Sequence, residues 1–149
     1  SAIAKIILAI WTAKTTTTTP TINGMKDFLN TANGDYVKTA YIADVVSGIS
    51  ETLFGAGQNI TRQDICVMSY RMLNECDVEI PKKNEQIYFN DSEEISDYAK
   101  DAVTALQMAG VINGDETGNF NPIATATRAE TAKIMYGIFN LIERGWTNA

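Results

Sequence analysis

The sequence predicts an all-α fold built from repeated helical units. Apolar residues recur on one helical face over residues 99 to 109, and Gly110 follows where a helix-ending glycine is expected. Thr-x-x-acid motifs at Thr61 and Thr127 each precede an apolar periodic segment, as at the start of a capped helix. Because both patterns occur more than once, the chain has the signature of stacked repeats.

Composition narrows the classes of function. The chain has 149 residues and 45% hydrophobic content, which is enough to bury a core. Its formal charge of -6 argues against a nucleic-acid partner, which requires a basic surface. Histidine is absent, which removes the commonest general base and the commonest zinc ligand. We therefore expect a binding or structural module with no cofactor and no bound metal.

The N-terminal apolar run, residues 3–11, is too short to cross a bilayer, which takes about 20 residues. It also lacks the flanks of a signal peptide. Instead, Ala4-Lys5-Ile6 aligns with Ala132-Lys133-Ile134 near the C-terminus. We interpret residues 1–14 as the closing helix of a partial first repeat and expect no membrane insertion.

Two segments are predicted connectors. Residues 15–23 contain five consecutive threonines and then Pro20, which oppose helix formation and indicate a linker. A short O-glycosylated Thr/Pro stalk is the alternative. Residues 77–86 are polar and contain Pro81, and we expect their two lysines to be solvated.

These connectors leave two nearly complete repeats. The second repeat covers residues 24–76, and the third repeat with the C-terminal tail covers residues 87–149. Their match is visible in Asp35-Tyr36 against Asp97-Tyr98 and in Gly48 against Gly110. The last helix is expected to stop at Gly145, because glycine favours helix ends.

Cys66 and Cys76 lie on one predicted helix that runs to about Glu75. Ten residues of helix separate their Cα atoms by about 15 Å. A disulfide requires about 7 Å or less, so we expect two free thiols that serve as small apolar side chains, at least one of them buried.

Arg62 and Arg128 follow the two capping threonines and should be the first fully helical residues. A guanidinium beside the unpaired amides of a helix start makes a local anion site. The alternative is a structural ion pair, of Arg128 with Asp97 or of Arg62 with Asp35.

One ordered set of features resembles the S-layer homology repeat: Phe-x-Asp at residues 89–91, a helix closed by Gly110, Gly-x-Phe-x-Pro at 118–122, and Thr-Arg-Ala-Glu at 127–130. The resemblance implies a non-catalytic module of secreted bacterial proteins at the cell surface, cell wall or S-layer. It also implies three repeats around a pseudo-threefold axis, with a secondary cell-wall polysaccharide bound in the grooves between them.

The resemblance further implies that the motif arginines hold a carboxylate of an anionic, pyruvylated polysaccharide through paired hydrogen bonds. Helix-start amides would assist, and loop glycines would let a sugar approach the backbone, although turn geometry alone also explains those glycines. The predicted ligand-binding residues are Arg128, Arg62, Thr127, Thr61, Gly110, Gly48 and Asn113.

Two other candidate sites are weaker. The segment Asn113-x-Asp115-x-Thr117-Gly118 resembles the first half of an EF-hand loop, but Ala124 stands where the bidentate glutamate should be, so we expect no calcium site. Several aromatic residues could stack on sugars, but their helical spacing favours the core, most clearly for Phe139. These aromatics are Trp11, Tyr36, Tyr98, Tyr136 and Phe139. A ligand role for Lys133 is doubtful, because the second repeat has Val67 at that position.

The alternative function is a structural or protein-interaction module that binds no carbohydrate. Self-association that completes the first repeat is a further option. An enzyme is disfavoured, because no pair of carboxylates with opposed environments stands out.

Overall fold

A computed structural model describes residues 44–45 and 59–147, without the side chains of residues 145–147. The chain divides into two compact units, residues 1–58 and 59–149, and the described structure is almost all of the second. The predicted first repeat at 1–14, the linker at 15–23 and Gly48 lie outside the described residues.

The second unit is helical. Helix α1 spans Arg62–Glu75, α2 spans Asp97–Met108 and α3 spans Arg128–Thr147, with a short 3-10 turn at Ser92–Glu94 before α2. The described residues contain no strand, only an isolated antiparallel bridge between Thr61 and Thr125. This confirms the all-α prediction for this part of the chain. None of its helices combines the length and the apolar character needed to cross a membrane.

Helix α1 begins and ends where the sequence predicts. The Thr61 hydroxyl accepts a hydrogen bond from the Asp64 amide at 3.3 Å, which satisfies one of the unpaired groups of the helix start. In a full capping box the Asp64 carboxylate would accept from the Thr61 amide. Here that carboxylate accepts from the Tyr98 hydroxyl at 2.8 Å instead. Asp64, in the first turn of α1, therefore ties this helix to α2.

Helix α3 has the complete capping box that the sequence predicts. The Glu130 amide donates to the Thr127 hydroxyl at 3.2 Å, and the Thr127 amide donates to the Glu130 carboxylate at 2.8 Å. That second bond, together with the positive charge of Arg62, holds the pKa of Glu130 below its usual value.

The predicted stop at Gly145 is wrong, because α3 continues to Thr147. A glycine inside a helix costs only about 1 kcal/mol relative to alanine, so glycine alone does not end a helix. Gly110 does end α2, because its φ of +76° reverses the chain. There the Gly110 amide donates to the Gln107 carbonyl at 3.0 Å and the Val111 amide to the Leu106 carbonyl at 2.9 Å, which is a Schellman motif.

The core of the second unit lies between the three helices and the loop that precedes α3. The predicted apolar face of α2 is buried throughout: Ala99, Ala102, Val103, Leu106 and Ala109. Cys66 is fully buried, Cys76 is partly exposed and both are free, as predicted. Burial raises the pKa of the Cys66 thiol to about 12.

The prediction that Phe139 belongs to the core is wrong, since its side chain is 41% exposed. Helix α3 carries apolar residues on two faces, and spacing alone does not say which face meets the core. The buried face contains Ile134, Ile138, Leu141 and Ile142.

The loop between α2 and α3 is fixed by the Phe-x-Asp motif. The two carboxylate oxygens of Asp91 accept from the amides of Phe120 and Asn121, at 2.8 and 2.7 Å. The ring of Phe89 packs on Phe120, with 5.4 Å between ring centres. The motif is therefore a clamp that sets the position of Phe120.

Asp115 organises the other end of this loop. Its carboxylate accepts from the amides of Thr117 and Asn119, at 2.9 and 3.0 Å, and from the Asn121 side chain at 2.8 Å. The Asn119 amide is the largest of the causes that hold the pKa of Asp115 well below its usual range. The EF-hand-like residues thus form a turn in which Asp115 is occupied by the loop itself.

We expect Asp91→Asn to lower the free energy of unfolding by about 1–3 kcal/mol, because an amide nitrogen cannot accept and one buried backbone donor loses its partner. Urea denaturation followed by circular dichroism measures this change. The matched control is Asp101→Asn, an exposed carboxylate on α2. Equal stability of Asp91→Asn and wild type would show that the clamp contributes nothing.

We also expect the capping box of α3 to weaken in acid. Since the pKa of Glu130 is lowered by folding, its stabilisation is fully present above the unfolded pKa of about 4.3 and is lost as the pH falls through the folded value. The melting temperature of wild type should exceed that of Glu130→Gln at pH 7, and the gap should close towards pH 3. A gap that stays constant from pH 7 to pH 3 would contradict this linkage.

Candidate functional site

A groove of about 170 Å³ opens between the start of α1, the loop after α2 and the first turns of α3. We call it the first groove. It is lined by Arg62, Val111, Ile112, Asn113, Gly114, Asp115, Asn121, Glu130, Lys133 and Ile134. Two cations and two carboxylates face each other there, so the groove is polar and locally balanced in charge.

Arg62 is held firmly at the wall of the first groove. Its Nε donates to the Phe120 carbonyl at 2.8 Å, and its Nη1 pairs with the Glu130 carboxylate. The guanidinium also lies 5.1 Å from the centre of the Phe120 ring. The side chain is only 12% exposed, so Arg62 has a structural role as well as a place in the groove. Asp35, its predicted alternative partner, lies outside the described residues.

The amides at the start of α1 are already satisfied. The Arg62 amide donates to the Ala124 carbonyl at 2.9 Å, and the Gln63 amide donates to the Pro122 carbonyl at 3.0 Å. Contrary to the expectation from the sequence, these amides are not free to bind a ligand. They instead dock the loop before α3 onto α1.

Arg128 is placed differently from Arg62. Its side chain is exposed, lines neither of the grooves described here, and makes no hydrogen bond or ion pair within residues 59–144. Asp97, its predicted alternative partner, pairs with Lys100 at 2.7 Å. The hydroxyls of Thr61 and Thr127 are both used in helix capping.

A second groove, of about 280 Å³, lies between the end of α2, the connector before it and the middle of α3. It is lined by Lys83, Ala109, Gly110, Val111, Lys133, Tyr136, Gly137, Asn140, Leu141 and Arg144. Three of these residues are cations and none is acidic. Of the predicted site residues, Arg62 and Asn113 line the first groove and Gly110 lines the second.

Sequence reasoning missed three of these lining residues. Lys83 is predicted to be solvated, and its side chain is indeed exposed, but the sequence does not place it at a groove. A ligand role for Lys133 is considered doubtful, and the spacing of Tyr136 favours the core, whereas the Tyr136 side chain is 71% exposed. The helical spacing of Glu130, Lys133 and Tyr136 was the available signal, because residues three apart share a face. Among the described residues no three histidine, cysteine or acidic side chains converge on a metal position.

Comparison with known proteins identifies the family of the chain. The family model of the S-layer homology domain matches residues 25–66 and 88–132, together more than half of the chain. An exoglucanase XynX of Acetivibrio thermocellus is 34% identical over 75% of this chain. An endoglucanase of a Bacillus species is 32% identical over 66% of this chain. A surface-layer 125 kDa protein of Lysinibacillus sphaericus is 51% identical over 40% of the chain. No solved structure matches significantly.

The chain spans only 11%, 10% and 5% of the length of these three relatives, so it corresponds to a small part of each. The two glucanases are matched through this S-layer homology part, which is a non-catalytic anchoring module. Family and relatives place such a module in secreted proteins at the bacterial cell wall. The chain therefore belongs to the S-layer homology domain family, whose members anchor surface proteins to the cell wall.

Proposed function

We propose that this chain binds an anionic, pyruvylated secondary cell-wall polysaccharide in the first groove. The observation that carries the proposal is that Arg62, from the motif of the second repeat, meets Asn113, from the loop of the third, across one groove. Lys133 of α3 lines the same groove. Two cations and an amide donor on facing walls suit a carboxylate attached to a hydroxyl-rich sugar.

The fixed position of Arg62 favours such a ligand. Its bonds to Phe120 and Glu130 already restrict the guanidinium, so little conformational entropy is lost when it grips a carboxylate. The neighbouring Glu130 opposes an incoming anion, and Lys133 offsets that charge. The exposed carboxylate of Asp115 already accepts four hydrogen bonds from its own loop, and these donors partly compensate its charge.

Arg128 has the same motif position one repeat later, and we assign it the equivalent role at the start of α3. Its exposure and lack of a described partner support that assignment. The relatives support an anchoring role, because an exoglucanase, an endoglucanase and a surface-layer protein share this segment while differing in name and function elsewhere.

Arg62→Lys should weaken the affinity for purified wall polysaccharide by about tenfold, because lysine keeps the charge but cannot form two parallel hydrogen bonds. The measurement is isothermal titration with polysaccharide fragments, accompanied by a thermal melt. Retention unchanged in both Arg62→Lys and Arg128→Lys would contradict the proposal.

Glu130→Gln is the matched variant for this experiment. It breaks the same ion pair from the other side, while the glutamine oxygen can still cap Thr127. If Arg62 serves only the ion pair, Arg62→Lys and Glu130→Gln should both melt at a lower temperature than wild type, and their affinities for the polysaccharide should be the same. If Arg62 binds the glycan, Glu130→Gln should bind at least as tightly as wild type, because a repelling charge has gone while the Phe120 carbonyl still holds the guanidinium.

An assembly role is the second candidate, favoured by one exposed apolar face of α3. Ala132, Tyr136 and Phe139 lie on that face, and the two aromatic side chains are 71% and 41% exposed. On this interpretation the chain self-associates, and Phe139→Ser should shift its sedimentation coefficient towards the monomer. A monomer at all concentrations for wild type would remove this candidate.

A further inference from the structure

We propose that the second groove is a binding subsite for a further anionic sugar unit, so that the polysaccharide lies along α3 through both grooves. This inference rests on the proposed function and deepens it, because it specifies a ligand with negative charge on successive units. The second groove is lined by basic residues and by no acidic residue, whereas the first groove is lined by both cations and carboxylates.

Charge is the first argument. The walls of the second groove carry Lys83 and Lys133 and no acidic residue, whereas the first groove has two carboxylates opposite its two cations. The chain as a whole has a charge of -6, so a long-range field repels anions and only such a local concentration can attract them.

Continuity is the second argument. Lys133 and Val111 line both grooves, so the two are adjoining parts of one trough. The α3 side of that trough runs from Glu130 to Arg144, about 21 Å at ~1.5 Å per residue. This length exceeds a single sugar ring, and Lys133 stands where two successive units would meet.

The third argument is that the second groove is built by the fold. The amides of Lys83 and Asn84 both donate to the Met108 carbonyl at 2.9 Å, which fixes the connector over the end of α2. Gly137 lets α3 approach the loop, since a Cβ there would lie 3.0 Å from a methyl carbon of Val111. The lysine that the sequence places in a solvated connector is thus held at the rim of a groove.

The lining also suits a sugar better than a bare ion. A volume of about 280 Å³ is just below the size at which small-molecule sites begin, about 300 Å³. The exposed Tyr136 ring offers a flat apolar surface, and Asn140 offers an amide that can bond hydroxyl groups. Lys83 would hold the carboxylate of the second unit, with Lys133 between the two units.

The test uses the full chain and two probes, the methyl glycoside of a pyruvate-ketal hexose and the disaccharide of the same unit, measured by isothermal titration. Wild type should bind the disaccharide about tenfold more tightly than the monosaccharide, as one added charge-assisted contact predicts. In Lys83→Ala combined with Tyr136→Ser, that ratio should fall towards one. Both side chains are exposed, so folding should survive, and a thermal melt verifies this.

Lys82→Ala is the matched control, because Lys82 is the exposed neighbour of Lys83 and lines neither groove. It should leave the ratio at its wild-type value. An equal loss in Lys82→Ala would show a general charge effect and overturn the subsite.

The two proposals fail in different ways. If wild type binds both probes with equal affinity, the subsite is overturned while the proposed function stands. If wild type binds neither probe nor longer wall fragments, the proposed function itself is overturned. A ratio that survives in the Lys83→Ala, Tyr136→Ser variant also overturns the subsite.

Discussion

The described structure depends on the placement of Phe120. Its ring packs against Phe89 and lies under the Arg62 guanidinium, its amide is held by Asp91, and its carbonyl accepts from Arg62. One buried aromatic residue therefore connects the loop before α3 to both the segment before α2 and the start of α1. Because Phe120 is 1% exposed, any movement of this loop would open the core.

This arrangement explains how residues of two repeats that are separate in sequence line one groove. The loop carbonyls of Pro122 and Ala124 take the first amides of α1, so the start of one repeat's closing helix is completed by the next repeat's loop. The hydrogen bonds that satisfy the first amides of α1 are thus also a specific contact between the two repeats. The first groove lies beside that contact, and it is lined by Arg62 from one repeat and by Asn113 from the other.

The charged side chains around the first groove are compensated locally. Carboxylates close to the first groove are engaged: Glu130 by Arg62 and the Thr127 amide, and Asp115 by its own loop. Lys133 has no described partner of its own and stands between the two grooves. Short-range hydrogen bonds and local cations, rather than the net charge, set the electrostatics on this face.

The sequence by itself determined the local features. Capping motifs, helical spacing and Gly110 predicted the starts of α1 and α3, the buried face of α2 and its Schellman end, because each depends on residues within about one helical turn. The same reasoning failed at Gly145, where the helix continues past the glycine, and at Phe139, whose side chain is exposed. In both cases the local preference does not show how the rest of the protein packs against the helix.

Only the tertiary structure decided what the cationic side chains do. Arg62 pairs with Glu130, 68 residues away, and Lys83 meets Lys133 across a groove formed by the docking of the connector onto α2. Neither relation has a signature in sequence spacing, because both arise from the packing of elements distant in the chain. The physical reason is that the residue type alone sets the charge of a side chain. The fold sets its neighbours and its exposure, and therefore the hydrogen bonds that it can make.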